Sequence, residues 1–264
     1  HDGDGATWRA PALQGLCCKR VDLVEVDLRA GNRLSKDESG GQQGGGQNDS
    51  GHRAYSTKVD TGARMLELAD GYWDMPAGKI ASVVTYLEMH EPPAAPAGLV
   101  APPGWTVERI AEPQLDWYRG MFRAVGQEWL WFSRLRMSDE ELASTLGSPA
   151  VDVFVARLEG TDAGLIELNW HSASDAELEI FGVLPSMTGK GAGRYLMRYA
   201  IDYVFGRGAR RFHLHTCTLD HPGALAFYRK AGFRPFKRAI EIDTDPRVSG
   251  DLPRDCAPSI PLID

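Results

Sequence analysis

Three glycines on alternate positions, Gly189, Gly191 and Gly193, stand in the run Glu179-Ile-Phe-Gly-Val-Leu-Pro-Ser-Met-Thr-Gly-Lys-Gly-Ala-Gly193. The run reads as a strand, a turn and the start of a helix, in which Leu196, Tyr199, Ala200 and Tyr203 recur at helical spacing. A glycine-rich turn feeding a helix leaves backbone N–H groups unpaired at the positive end of the helix dipole. That is the chemistry of a phosphate or pyrophosphate site. Two nucleotide loops fit poorly. A P-loop needs Ser or Thr after Gly-Lys, whereas Gly191 follows Lys190; a dinucleotide fingerprint needs G-x-G-x-x-G, and this loop gives G-x-G-x-G.

Other reactive side chains flank the loop. In Ala176-Glu-Leu-Glu-Ile-Phe-Gly-Val183, alternation places Glu177, Glu179, Phe181 and Val183 on one face, unless a bulge near Gly182 shifts the later pair. His213 and His215 alternate within Arg211–Thr216, but no third metal ligand stands near them, so a structural or solvent-facing role and no metal are expected. Cys217 ends the same strand and is expected to act as a small buried hydrophobe, not a nucleophile. Trp129, Trp131 and Phe132 form an aromatic cluster with two readings, helix–helix core or the wall of a pocket for an apolar or cationic ligand.

These groups need a scaffold, and the sequence punctuates one. Lys79–Met89 and Trp105–Ile110 are rich in β-branched residues and predict strands, joined by the proline-alanine connector 92–104. Pro113 opens a helix with Leu115, Tyr118, Phe122 and Val125 on one face, and Ser138-Asp-Glu-Glu141 is a capping box for a second helix. Val151–Arg157 and Ala163–Trp170 predict a hairpin about Glu159-Gly-Thr-Asp162. Asp220 or His221 is expected to cap a helix that Gly232 stops, and Phe233–Ile242 gives a last strand interrupted by Pro235. The tail from Asp243 carries four prolines and is expected to run irregularly over the surface.

Composition bounds the class. The 264 residues are 43% hydrophobic and 25% charged, an ordinary globular mixture for one large domain or one domain plus an appendage. No apolar run approaches the roughly 20 residues that span a bilayer, and no signal-peptide leader is expected from the residues given. With Cys17, Cys18, Cys217 and Cys256 giving no C-x-x-C pair, a reducing cytoplasmic setting is expected. A net charge of −7 argues against a non-specific polyanion binder, so neither nucleic acid nor membrane is an expected partner. Residues 1–64 carry nine acidic and nine basic residues around a Gly/Gln-rich stretch, and are expected to be a disordered extension or upstream artefact, with Met65 a natural beginning. Residues 65–264 hold the domain.

The order strand, two helices, hairpin, strand, glycine-loop helix, strand, helix, strand resembles the GNAT superfamily of N-acetyltransferases over about residues 105–242. Val183-Leu-Pro-Ser-Met-Thr-Gly-Lys-Gly-Ala-Gly193 is similar to the family's acetyl-CoA motif R/Q-x-x-G-x-G/A, and His221-Pro-Gly-Ala-Leu-Ala-Phe-Tyr-Arg-Lys-Ala-Gly-Phe233 to its N-x-x-A-x-x-x-Y-x-x-x-G-F helix. Two positions depart: Thr188 replaces Arg or Gln, and His221 replaces Asn.

The resemblance implies an α/β fold whose mixed central sheet splays between the fourth and fifth core strands, flanked by about four helices. It implies acetyl-CoA as co-substrate and no metal. The pyrophosphate would rest on Thr188, Gly189, Lys190, Gly191, Ala192 and Gly193, with Phe181, Val183 and His221 along the rest of the cofactor. The acceptor would be a primary amine, on a small molecule, a peptide N-terminus or a Lys side chain. Glu177 is expected as base, with Glu179 as the other option, and Tyr228 as acid. The contrasting reading is a non-catalytic acyl-CoA sensor or interaction module on the same fold. Assembly is left open, with a homodimer among the options.

Overall fold

The computed structural model describes residues 69–94 and 101–264. The extension expected over 1–64 and the middle of the proline-alanine connector lie outside the described residues. Met75–Asp264 fall in one compact unit; of the other, Asp22–Asp74, the described part shows the Trp73 indole N–H donating to the Ala69 carbonyl at 3.3 Å.

Seven strands form one sheet: β1 (Lys79–Met89), β2 (Trp105–Ile110), β3 (Val151–Leu158), β4 (Thr161–Ser172), β5 (Asp175–Val183), β6 (Arg211–Cys217) and β7 (Arg234–Thr244). Their spatial order is β2-β3-β4-β5-β6-β1-β7, antiparallel throughout except for the parallel pair β5/β6. Four helices cover it: α1 (Leu115–Gly126), α2 (Asp139–Leu146), α3 (Ala192–Gly206) and α4 (Ala224–Lys230). This is the α/β mixed sheet expected. The capping box is present, Ser138 Oγ accepting from the Glu141 N–H while the Glu141 carboxylate accepts from the Ser138 N–H. The β3–β4 turn places both Glu159 and Gly160 at positive φ, the geometry a two-residue hairpin requires.

Each face of the sheet buries its own core. On one, Leu196, Met197, Ala200, Ile201 and Val204 of α3 pack on Phe154, Ile166, Leu168, Leu178, Phe212 and Leu214. On the other, Tyr118, Phe122 and Val125 of α1 and Leu142 and Leu146 of α2 pack on Val153, Leu165 and Ile180.

Three expectations are corrected. The bulge in β5 falls at Glu179, not near Gly182: Glu167 faces Ile180 while Leu168 faces Leu178, leaving Glu179 as the extra residue. The later pair is therefore shifted, and Phe181 and Val183 join Ala176 and Leu178 on the α3 face instead of sharing a face with Glu177. The tail is irregular but anchored. Leu252, Cys256 and Ala257 are buried with Leu130 and Ile80, and Arg247 pairs with Asp245 at 2.8 Å while donating to the Ile260 carbonyl at 2.8 Å. Finally, neither Asp220 nor His221 caps α4, whose N-cap is Gly223 without a side-chain bond.

β1 takes the slot between β6 and β7, which makes β7 an edge strand and tolerates Pro235, a residue without an N–H to contribute.

Candidate active site

The site begins where β5 and β6 part. They pair at Asp175/Arg211, Ala176/Phe212 and Glu177/His213, and beyond that β5 runs on to Val183 and β6 to Cys217 without pairing each other. The Leu184 N–H donates to the Ala163 carbonyl at 2.9 Å, which makes Gly164/Val183 a non-hydrogen-bonded pair of the antiparallel ladder. The N–H and C=O of Val183 therefore point away from β4 and toward the opening. Two residues earlier, Phe181 opposite Ile166 has the same orientation. An extended ligand entering the opening meets a ready strand edge.

At its far end the edge runs into the glycine loop. Gly189 and Gly191 adopt φ of +78° and +85°, where a side chain would be strained, and the added Cβ of either would meet nothing within 4 Å. Gly191 is the N-cap of α3 and supplies no side-chain cap, and the first turn of α3 holds no acidic residue. The free N–H groups at Ala192 and Gly193 and the dipole are thus left without an internal counter-charge. Thr188, Gly189 and Lys190 are exposed. Gly193 lets α4 approach, its Cβ position lying 3.6 Å from the Phe227 ring.

α4 lies alongside. Tyr228 is half-buried, its ring 6.4 Å from Phe181 and 6.3 Å from Phe233, both edge-on. The exposed His221 uses Nδ1 to accept from the Gly223 N–H at 2.9 Å and sets its ring edge-on against Trp129 at 5.1 Å. Trp131 donates its indole N–H to Asp220 at 2.9 Å, and Asp220 also takes the Thr216 hydroxyl and the Cys217 N–H. The aromatic segment is thereby tied to the turn after β6. Phe132, only 3% exposed and covered by the Arg136 guanidinium, supports this segment and presents no ring to a ligand. Of the three pocket residues expected, Trp129 and Trp131 are half-buried and Phe132 is core.

Gly126 makes room for Trp131. A Cβ there would fall 2.4 Å from the indole, which packs on Phe122 and is held by Asp220. Gly126→Ala is expected to displace the ring and cost about 1–3 kcal/mol, read as a lower midpoint in urea unfolding.

On the opposite face of β5 the polar side chains gather. Glu177 accepts from His171 Nε2 at 2.8 Å and lies 3.4 Å from His215 Nδ1. Burial alone would raise its pKa, but these two imidazoles hold it down to about 2. His215 has only 2% of its side chain exposed; burial opposes its charge, yet the Glu177 carboxylate raises it to about 9. The Glu177 hydrogen bond also raises His171, whereas burial lowers His213. Neither His213 nor His215 faces solvent, which corrects that part of the expectation.

Glu179 is fully buried. Desolvation, with the nearby Glu177 and Glu167 charges, pushes it up to about 8 against the pull of Arg134 at 3.3 Å. Arg134 and Glu167, each 1% exposed, pair at 2.5 Å, and the Tyr118 hydroxyl donates to Glu167.

His171 and Arg134 were not foreseen. The alternation Glu167, Asn169, His171 along β4 was a usable signal for a polar face, whereas nothing local marks Arg134.

Residues 113–233 match the acetyltransferase (GNAT) family. With the splayed sheet and both motifs in order, residues 113–233 form an acetyltransferase domain of the GNAT family.

Similar solved structures include a conserved protein of unknown function from Staphylococcus epidermidis, at 12% identity over 64% of each chain with a TM-score of 0.44. This chain thus spans just under two thirds of that protein. A GNAT family acetyltransferase from Elizabethkingia anophelis with acetyl-CoA bound is 16% identical over 52% of this chain and 80% of its own, TM-score 0.41. The ribosomal-protein-S18-alanine N-acetyltransferase of Escherichia coli is 18% identical over 53% and 94%, TM-score 0.43. No curated protein matches the sequence. Among the described residues no helix is long and apolar enough to cross a membrane.

Proposed function

We propose that the chain transfers an acetyl group from acetyl-CoA to a primary amine by direct attack on the thioester. The observation that carries this reading is the strand edge of Phe181 and Val183, facing an unpaired opening and leading into the glycine loop. The cofactor's amide arm pairs with that edge, and its pyrophosphate rests on the backbone of residues 188–193, chiefly on the N–H groups that open α3. Backbone donors suffice there, so Thr188 in place of a longer side chain does not remove the site. His221 keeps Nε2 for the cofactor arm.

The N–H of Val183 steadies the negative charge that develops on the thioester oxygen. The amine attacks in its neutral form, forming the C–N bond as the C–S bond breaks. Glu177, held ionised by its two imidazoles, draws the amine proton away, directly or through water, and His171 passes it on to solvent. Tyr228 gives its hydroxyl proton to the departing thiolate. The half-buried Trp129 and the carboxylates of β5 suit a cationic or apolar amine. Acceptors of either kind, a small molecule or a peptide amine, fit this arrangement.

Tyr228→Phe tests the acid role. The variant is expected to lose about 100-fold in kcat or more while acetyl-CoA affinity stays nearly unchanged, measured by thiol release and by calorimetry. Full kcat in this variant would remove Tyr228 from the reaction.

A further inference from the structure

The geometry points to a binding site for one divalent transition-metal ion of the Zn2+ class, formed by His171, Glu177 and His213. Sequence spacing offered two histidines without a third ligand; the fold supplies the rest from three adjacent strands. Glu177 of β5 and His213 of β6 are the last paired residues before the strands part, and His171 reaches in from the end of β4. One donor atom from each lies within 4.8 Å of the others. The rings of His171 and His213 are stacked, with centroids 5.3 Å apart and planes 18° from parallel. A tetrahedral ion with bonds of about 2.0–2.2 Å asks for donors about 3.3 Å apart, so the widest pair has to close by up to about 1.5 Å.

A second observation is independent of that spacing. His213 Nε2 is buried and has no hydrogen-bond partner, a state polar atoms rarely occupy without compensation. The closest carboxylate, Asp175, stands 3.5 Å away. A metal bond to the imidazole satisfies this group.

Two imidazoles and one carboxylate suit a borderline ion such as Zn2+, whereas Mg2+ and Ca2+ prefer shells of oxygen. Three protein ligands leave a fourth position for water. The second oxygen of Glu177 faces His215 Nδ1 at 3.4 Å, an outer contact of the kind that orients a ligating carboxylate. Arg211, a neighbouring cation on β6, is engaged by Glu88 at 2.8 Å and Asp175 at 3.5 Å.

Only a consequence of this site rests on the proposed function. If Glu177 takes the amine proton, bound Zn2+ occupies the same lone pair and slows acetyl transfer, and EDTA restores it.

Binding is tested without any acyl donor, on the EDTA-stripped full chain titrated with Zn2+ by calorimetry and with Co2+ by visible absorption. One ion at this site, a higher Tm with metal and intense low-symmetry Co2+ bands are expected. His171→Gln and His213→Gln should each weaken binding at least about 100-fold, because even outer-shell partners are worth about 10- to 100-fold. His213→Gln should keep acetyl transfer and lose its Zn2+ sensitivity.

Wild-type protein that binds no Zn2+, binding unchanged in the double variant, or Co2+ bands of the octahedral aquo type would each overturn the proposal. Absent acetyl transfer leaves the metal result standing, and absent metal binding leaves the transferase reading standing.

Discussion

Glu177→Gln is expected to lower kcat by about 100- to 10,000-fold, the range that general acid–base catalysis supplies. The substitution keeps the shape of a side chain wedged between His171 and His215 but removes its charge. What disappears is the acceptor for the proton that an ammonium must shed before it can attack. Raising the pH deprotonates the amine in solution and bypasses that need, so part of the lost rate should return at high pH. Measured with EDTA present, the pH–rate profile of the variant should therefore rise more steeply than that of the wild type. Two parallel profiles would move the base to Glu179 or to water.

Arg134→Met is expected to cost about 3–5 kcal/mol of stability, the usual price of removing one partner of a buried ion pair. Arg134 lies under the sheet with Glu167 at 2.5 Å and Glu179 at 3.3 Å, and both glutamates are buried. The Tyr118 hydroxyl and Arg134 are the groups that hold Glu167. Without the guanidinium the Glu167 charge has one neutral donor left in a dry environment. Adding Glu167→Gln to Arg134→Met should recover part of the loss, because the stranded charge goes with it. Chemical denaturation of the two variants reads both effects. Equal stability of Arg134→Met and wild type would mean that the cluster contributes nothing.

Local chemistry made much of the fold legible. The Ser138–Glu141 capping box, the apolar face of α1 and the Glu159-Gly160 turn are each decided by residues close in sequence, and each stands where the sequence indicated. The glycine loop was readable for the same reason, since Gly189 and Gly191 serve backbone conformations that other residues avoid.

What escaped depends on distant partners. The bulge at Glu179 is set by the register of β5 against β4, and no local feature of Ala176–Val183 locates it. That one residue separates the carboxylate face from the Phe181/Val183 face. β1 meets β6 only by pairing across the sheet, with Glu88 and Arg211 123 positions apart, so its slot between β6 and β7 could not be read from its own alternation. His171 and Arg134 acquire their meaning in the same way, by meeting Glu177 and Glu167 across the sheet. The tail looked like surface because of its prolines, yet Asp245 and Arg247 satisfy each other and let Leu252 and Cys256 pack inward.

The transferase reading meets its most direct test in free-thiol release from acetyl-CoA across a panel of small amines and peptide N-termini. The expected result is release that depends on at least one amine, yields the acetylated amine, and is suppressed by both Glu177→Gln and Tyr228→Phe. Measurable acetyl-CoA binding with silence across the whole panel would contradict it, and would identify the splayed sheet as an acyl-CoA sensor instead.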